Sequence, residues 1–64
     1  MGKIKILKGN DIYKVGEVIE VGDLIRDYCS GCSDEDVIDW LWRVPIPSAV
    51  EHIAGMLELE YEYV

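Results

Sequence analysis

Along this chain the apolar positions recur with a period of two, then with a period near 3.6, then with a period of two again. The segment Lys3-Ile-Lys-Ile-Leu-Lys8 alternates charged and apolar residues. It predicts a strand with Ile4 and Ile6 on one face and Lys3 and Lys5 on the other. Gly9-Asn10-Asp11 is a turn signal. Ile12 to Val15 predicts a short strand-like piece that Gly16 breaks, and Val18-Ile-Glu-Val21 is rich in β-branched residues. Residues 3–20 are therefore expected to form a small, irregular β segment.

The period then changes. Val21, Leu24, Ile25 and Tyr28 fall on one helical face, with Asp23, Arg26 and Asp27 outside it. This predicts a helix over 22–30, with Gly31 just past its end in a left-handed conformation. Ser33-Asp-Glu-Asp36 is a helix start, with Ser33 as the cap and three acids on the positive end of the helix dipole. Val37, Ile38 and Leu41 form the inner face of this second helix, and Trp40 and Trp42 flank that face. At least one of the two indoles is expected at a surface. Pro45 and Pro47 stop the helix near Arg43, whose default role is an ion pair with Asp39 one turn earlier. Ser48-Ala-Val-Glu51 reads as a capping box for a third helix over 48–57, with Val50, Ile53, Ala54 and Leu57 on its stripe. Gly55 within it costs about 1 kcal/mol relative to Ala, which a close helix crossing would explain.

In the tail, Leu57, Leu59, Tyr61 and Tyr63 alternate with Glu58, Glu60 and Glu62. A row of Glu matches the row of Lys on the first strand, and opposite charges across an antiparallel pair contribute about 0.2–1 kcal/mol each. Residues 3–8 and 58–63 are thus expected to pair, within one chain or across a dimer. The alternative is that the third helix continues into the tail. The expected fold class is α+β: one domain over 1–64, with a β segment over 3–20, a trihelical core over 21–57 and a strand-like tail over 58–64.

Charge sharpens the picture. The 64 residues carry a net charge of -7. Residues 1–32 balance five acids with five bases, whereas residues 33–64 hold eight acids against Arg43 alone. Phosphate backbones demand Lys and Arg, so the second half is a poor nucleic-acid surface. Half the residues are hydrophobic, too many for a disordered chain. No apolar run approaches the roughly 18 residues of a membrane span. The opening Met-Gly-Lys leads into no signal-peptide core, so a cytoplasmic protein is expected.

Several short stretches resemble one family. Gly16-Glu-Val-Ile19-Glu-Val21 matches a Gly-x-x-Ile-x-Val turn. Asp23 to Gly31 is similar to a first helix with its terminal glycine. Cys32-Ser-Asp-Glu-Asp-Val-Ile38 is similar to a Ser-x-Glu-Glu-Ile helix start, and Pro47-Ser-Ala-Val50 through Ala54 to a Pro-x-x-Val helix with small residues later. Together, Gly16 to Leu57 resembles domain-of-unknown-function family 433, a group of small prokaryotic antitoxin-like proteins. The resemblance implies a short β segment leading into a homeodomain-like helix-turn-helix core. The Arg and Pro usual in that family's entry turn are absent here, where Val18 and Glu20 stand, and the tail is strand-like rather than helical.

Candidate chemistry is sparse. On a helix-turn-helix reading, the outward side of the third helix presents Ser48, Glu51, His52, Gly55 and Glu58, with no Lys or Arg to contact guanine or phosphate. Direct nucleic-acid binding is not expected. Lys3, Lys5, Lys8 and Lys14 are read as a solvated strand edge. Cys29-Ser-Gly-Cys32 lies at a helix C-terminus, where the dipole opposes a thiolate. Inert thiols are the expectation, with a metal shared across a dimer or a redox role as the alternatives. His52, on a polar helix face, is read as solvated. No catalytic, cofactor or metal site is expected, so the chain is read as a non-enzyme.

The functional expectation is a protein-interaction module, an antitoxin-like neutraliser of a basic toxin or nuclease. Its acidic half would steer a basic cleft, and an apolar patch would hold it. The candidate partner-binding residues are Trp42, Glu51, Glu58, Leu59, Glu60, Tyr61, Glu62 and Tyr63. The alternatives are a homodimeric helix-turn-helix transcription regulator and a small acidic phage-type inhibitor that mimics DNA.

Overall fold

A computed structural model describes residues 2–64. In chain order the elements are β1 (Lys3–Lys8), β2 (Val18–Glu20), α1 (Val21–Ser30), α2 (Glu35–Arg43), α3 (Ile46–Leu57) and β3 (Glu60–Tyr63). The class is α+β: three helices and one antiparallel sheet of order β2-β1-β3. β1 is therefore the central strand, not the solvated edge that its lysines suggested. It pairs Lys3 with Glu20, Ile4 with Ile19 and Lys5 with Val18 on one side. On the other side it pairs Ile4 with Tyr63, Lys5 with Glu62, Ile6 with Tyr61 and Lys8 with Glu60, with a bulge between Ile6 and Lys8.

Directly paired residues share a face of the sheet. One face therefore carries Ile4, Ile6, Ile19, Tyr61 and Tyr63, and the other carries Lys3, Lys5, Val18, Glu20 and Glu62. Ile4 and Ile6 are wholly buried against the helices, while Lys3 and Lys5 lie in solvent. The core they anchor also contains Val21, Leu24 and Ile25 of α1, Leu41 of α2, Ala49, Val50, Ile53 and Ala54 of α3, and Tyr13 and Leu59 from the loops.

Residues 12–15 do not form a strand. The Asn10 side chain takes over the local backbone instead. Its Oδ1 accepts the N–H groups of Ile12 and Tyr13, each at 2.8 Å. Its Nδ2 donates to the Leu57 carbonyl at 3.0 Å and ties the loop to the end of α3. This Asx turn competes successfully with strand pairing and delivers Tyr13 into the core. Gly9 is required in it, because a Cβ there would collide with the Tyr13 carbonyl oxygen. Gly16, with φ at +89°, closes the loop in a conformation natural to glycine.

The helix ends differ in several places from the sequence expectation. Gly31 has φ of -95°, not a positive value. α1 instead finishes in tightened turns, with the Gly31 N–H on the Tyr28 carbonyl and the Cys32 N–H on the Cys29 carbonyl, both at 3.2 Å. The cap of α2 is Asp34 rather than Ser33. Asp34 Oδ1 accepts the N–H groups of Asp36 at 3.0 Å and Val37 at 3.4 Å. The capping box of Ser48 and Glu51 does not form. α3 has already begun at Ile46, and the Ser48 N–H is bonded to the Pro45 carbonyl at 3.0 Å. Pro45 precedes this helix and Pro47 sits in its first turn, where a missing N–H costs nothing. The two prolines thus start α3 as well as stop α2.

At its far end α3 closes in a Schellman motif. Glu58 is left-handed at φ 58°, its N–H meets the Gly55 carbonyl at 3.4 Å, and the Leu59 N–H meets the Ala54 carbonyl at 2.8 Å. This reversal ends the helix and feeds the chain into β3. α2 is the least embedded helix: Val37 and Ile38 are only half-buried, and Leu41 alone is fully inside.

Candidate protein-interaction surface

Exposed carboxylates lie on β3 and on the outer faces of α2 and α3. Among the described residues, the charged pairs within 4 Å are Arg26–Asp23 at 3.6 Å and Arg43–Asp39 at 3.1 Å. The second is the ion pair expected from sequence. Glu51, Glu58, Glu60 and Glu62 are all exposed and stand outside these pairs. The Lys5–Glu62 and Lys8–Glu60 positions face each other across the ladder without closing to ion-pair distance.

The eight expected partner-binding residues divide. Glu60, Tyr61, Glu62 and Tyr63 lie together on β3, an edge strand. The Tyr61 and Tyr63 rings meet edge to face at 5.7 Å. Tyr63 is 44% exposed and Tyr61 is half-buried. Burial above all, and then the nearby Tyr63 and Glu51, raises the Tyr61 phenol above its ordinary pKa. Glu51 of α3 is thereby placed near β3. Glu58 adjoins this group at the helix reversal. Leu59 does not belong to the surface: at 7% exposure it is a core residue, because the Schellman turn points it back under α3. Trp42 is 56% exposed and lies on α2, not on β3.

Two features escape the sequence reading. His52 is not freely solvated. It is half-buried between two rings, edge-on to Tyr28 at 6.3 Å and to Trp40 at 5.2 Å. This ladder joins α1, α3 and α2 across their surfaces. Beside it, Asp36, Val37, Trp40 and His52 line a shallow hollow of ≈ 290 Å³. A wider groove of ≈ 660 Å³ runs between the end of α1, the Asn10 turn and Leu57, past Tyr28 and Cys32. Its only advance signals were Tyr28 on the α1 stripe and the turn residues around Asn10, and neither specifies a groove.

Cys29 and Cys32 are both free and half-buried. Burial, followed by the neighbouring Cys32, raises the Cys29 pKa, and the Trp42 indole acts in the opposite direction. A raised thiol pKa disfavours the nucleophilic thiolate. Among the described residues no three His, Cys, Asp or Glu side chains cluster as a metal site would require. No helix there is long and apolar enough to cross a membrane. Comparison with family models, curated proteins and solved structures finds no match to this chain.

Proposed function

We propose that the chain is a protein-interaction module that neutralises a basic protein, in the manner of an antitoxin bound to a nuclease-type toxin. One observation carries this reading. Glu51, Glu58, Glu60 and Glu62 are exposed, have no ion-pair partner among the described residues, and adjoin Tyr61 and Tyr63 at one sheet edge. Carboxylates so arranged speed encounter with a basic surface, and tyrosines supply contact area at low entropic cost. The resemblance of Gly16 to Leu57 to family 433 points the same way, with α1, α2 and α3 as its trihelical, helix-turn-helix-like core. α3 contains no Lys or Arg, which disfavours direct reading of DNA and favours a protein partner in the cytoplasm.

Affinity capture from the native host tests the reading. The wild-type chain should retain a basic protein that salt elutes. The variant with Gln at positions 51, 58, 60 and 62 should not retain it. Equal retention by both, or retention of no basic protein, would overturn the proposal.

A further inference from the structure

We infer that the free edge of β3 recruits its partner by strand addition, and that the added strand alternates Lys or Arg with apolar residues. The inference rests on the reading that the partner is basic, and it specifies how such a partner is held.

The ladder determines which groups are open. In an antiparallel pair, hydrogen-bonded and non-hydrogen-bonded positions alternate. The Val64 N–H donates to the Lys3 carbonyl at 3.2 Å. In the same register, Glu62 pairs with Lys5 as the next hydrogen-bonded position. The N–H and C=O groups of the intervening residues, Tyr61 and Tyr63, therefore point away from β1 to the open side. The opposite edge of the sheet is poorer in this respect: β2 has three residues and passes directly into α1.

Side chains then select the occupant. A strand laid against β3 places its residues beside Glu60 and Glu62 on the solvent face, and beside Tyr61 and Tyr63 on the face that carries Ile4 and Ile6. The chain already holds one strand that satisfies this pattern. β1, Lys-Ile-Lys-Ile-Leu-Lys, sets Lys5 and Lys8 opposite Glu62 and Glu60, and Ile4 and Ile6 opposite Tyr63 and Tyr61. The free side of β3 offers the same faces to a second strand of like pattern.

A second copy of the chain does not fit. Antiparallel pairing of two β3 strands that keeps tyrosines on one face and opposes three β3 residues of each copy centres the two-fold axis on Tyr61 or on Glu62. The first choice sets Glu60 against Glu62 twice. The second sets Glu62 against itself. Like charges directly opposite are destabilising, so the carboxylates that welcome a basic strand also reject self-pairing through this edge.

The test uses the full chain and a capped hexapeptide of alternating Lys and Val. Amide hydrogen exchange is followed by NMR. At a free peptide concentration about ten times the Kd, exchange at Tyr61 and Tyr63 should slow by about tenfold, as the unbound fraction dictates. The peptide N-methylated at alternate amides should lose this protection, and the E60Q/E62Q variant should bind the unmodified peptide at least several-fold more weakly. Unprotected Tyr61 and Tyr63 amides would overturn the proposal, whether the peptide binds the helical faces or does not bind. Equal binding by the N-methylated peptide, or by the variant, would overturn it too. None of these failures would touch the wider reading, which stands or falls on capture of a basic protein from the host.

Discussion

Gly55 sits within α3 with open space around the position its Cβ would occupy. No close helix crossing occupies that space, so nothing in the packing repays its backbone freedom. Gly55→Ala should stabilise the fold by about 0.5–1 kcal/mol, raising Tm by several degrees in thermal unfolding. Glu58 poses the converse case. It holds φ at 58°, where a side chain is strained, and it puts a negative charge at the negative end of α3. Glu58→Gly should raise stability by about 0.5–1 kcal/mol, measured by urea denaturation. The cap residues were poorly legible for a related reason. Ser33 and Asp34 are both competent caps, and Ser48 is a third, yet α3 begins at Ile46 after Pro45 with no side-chain cap; which residue caps depends on where the preceding turn lets the chain enter the helix.

At the scale of elements, the two periodicities were legible because each places one apolar face. Alternation over 3–8 and the 3.6 spacing over 21–30 and 48–57 correspond to β1, α1 and α3, within two residues at each end. What the pattern could not show is the work of one side chain. Ile12 to Val15 carries β-branched and aromatic residues, yet the Asn10 turn captures it. Asn10→Ala removes two acceptor bonds and the link to the Leu57 carbonyl. The expected loss is about 2 kcal/mol, at roughly 0.5–1.5 kcal/mol per bond. Asn10→Asp keeps the acceptor and should recover part of that loss in the same urea titration. The Tyr28–His52–Trp40 ladder was illegible for a simpler reason: it joins three helices, and their relative rotation is not encoded in the period of any one.

For the whole molecule, acidity has two roles that total charge cannot separate. Asp34 caps α2 and Asp39 holds Arg43, whereas Glu51, Glu58, Glu60 and Glu62 face solvent. Three raised pKa values make stability fall at alkaline pH. Burial is the first cause of raised pKa values at Cys29, Tyr13 and Tyr61. Each keeps its proton in the folded state at a pH where the unfolded chain has begun to lose it. The unfolded state then binds fewer protons, and stability falls as pH rises. Their contribution is fully present below the ordinary cysteine value of 9.0 and is lost as pH climbs through the raised values of the cysteine and then the tyrosines. Urea midpoints should therefore hold steady up to about pH 8 and decline as pH passes the ordinary cysteine value of 9.0. Replacing Cys29 with Ala should blunt the earliest part of the decline.

On the proposed function, the solvent-facing carboxylates of the second half recognise a basic protein. The most direct measurement is the association rate of the captured partner as a function of salt, compared between wild type and the variant with Gln at positions 51, 58, 60 and 62. Electrostatic steering changes association rates by about 10–10³-fold and weakens steeply with ionic strength. The wild-type rate should fall at least about tenfold between low and high salt, and the variant should start near the high-salt rate and change little. Identical rates and identical salt dependence in the two proteins would show that these carboxylates do not recognise the partner.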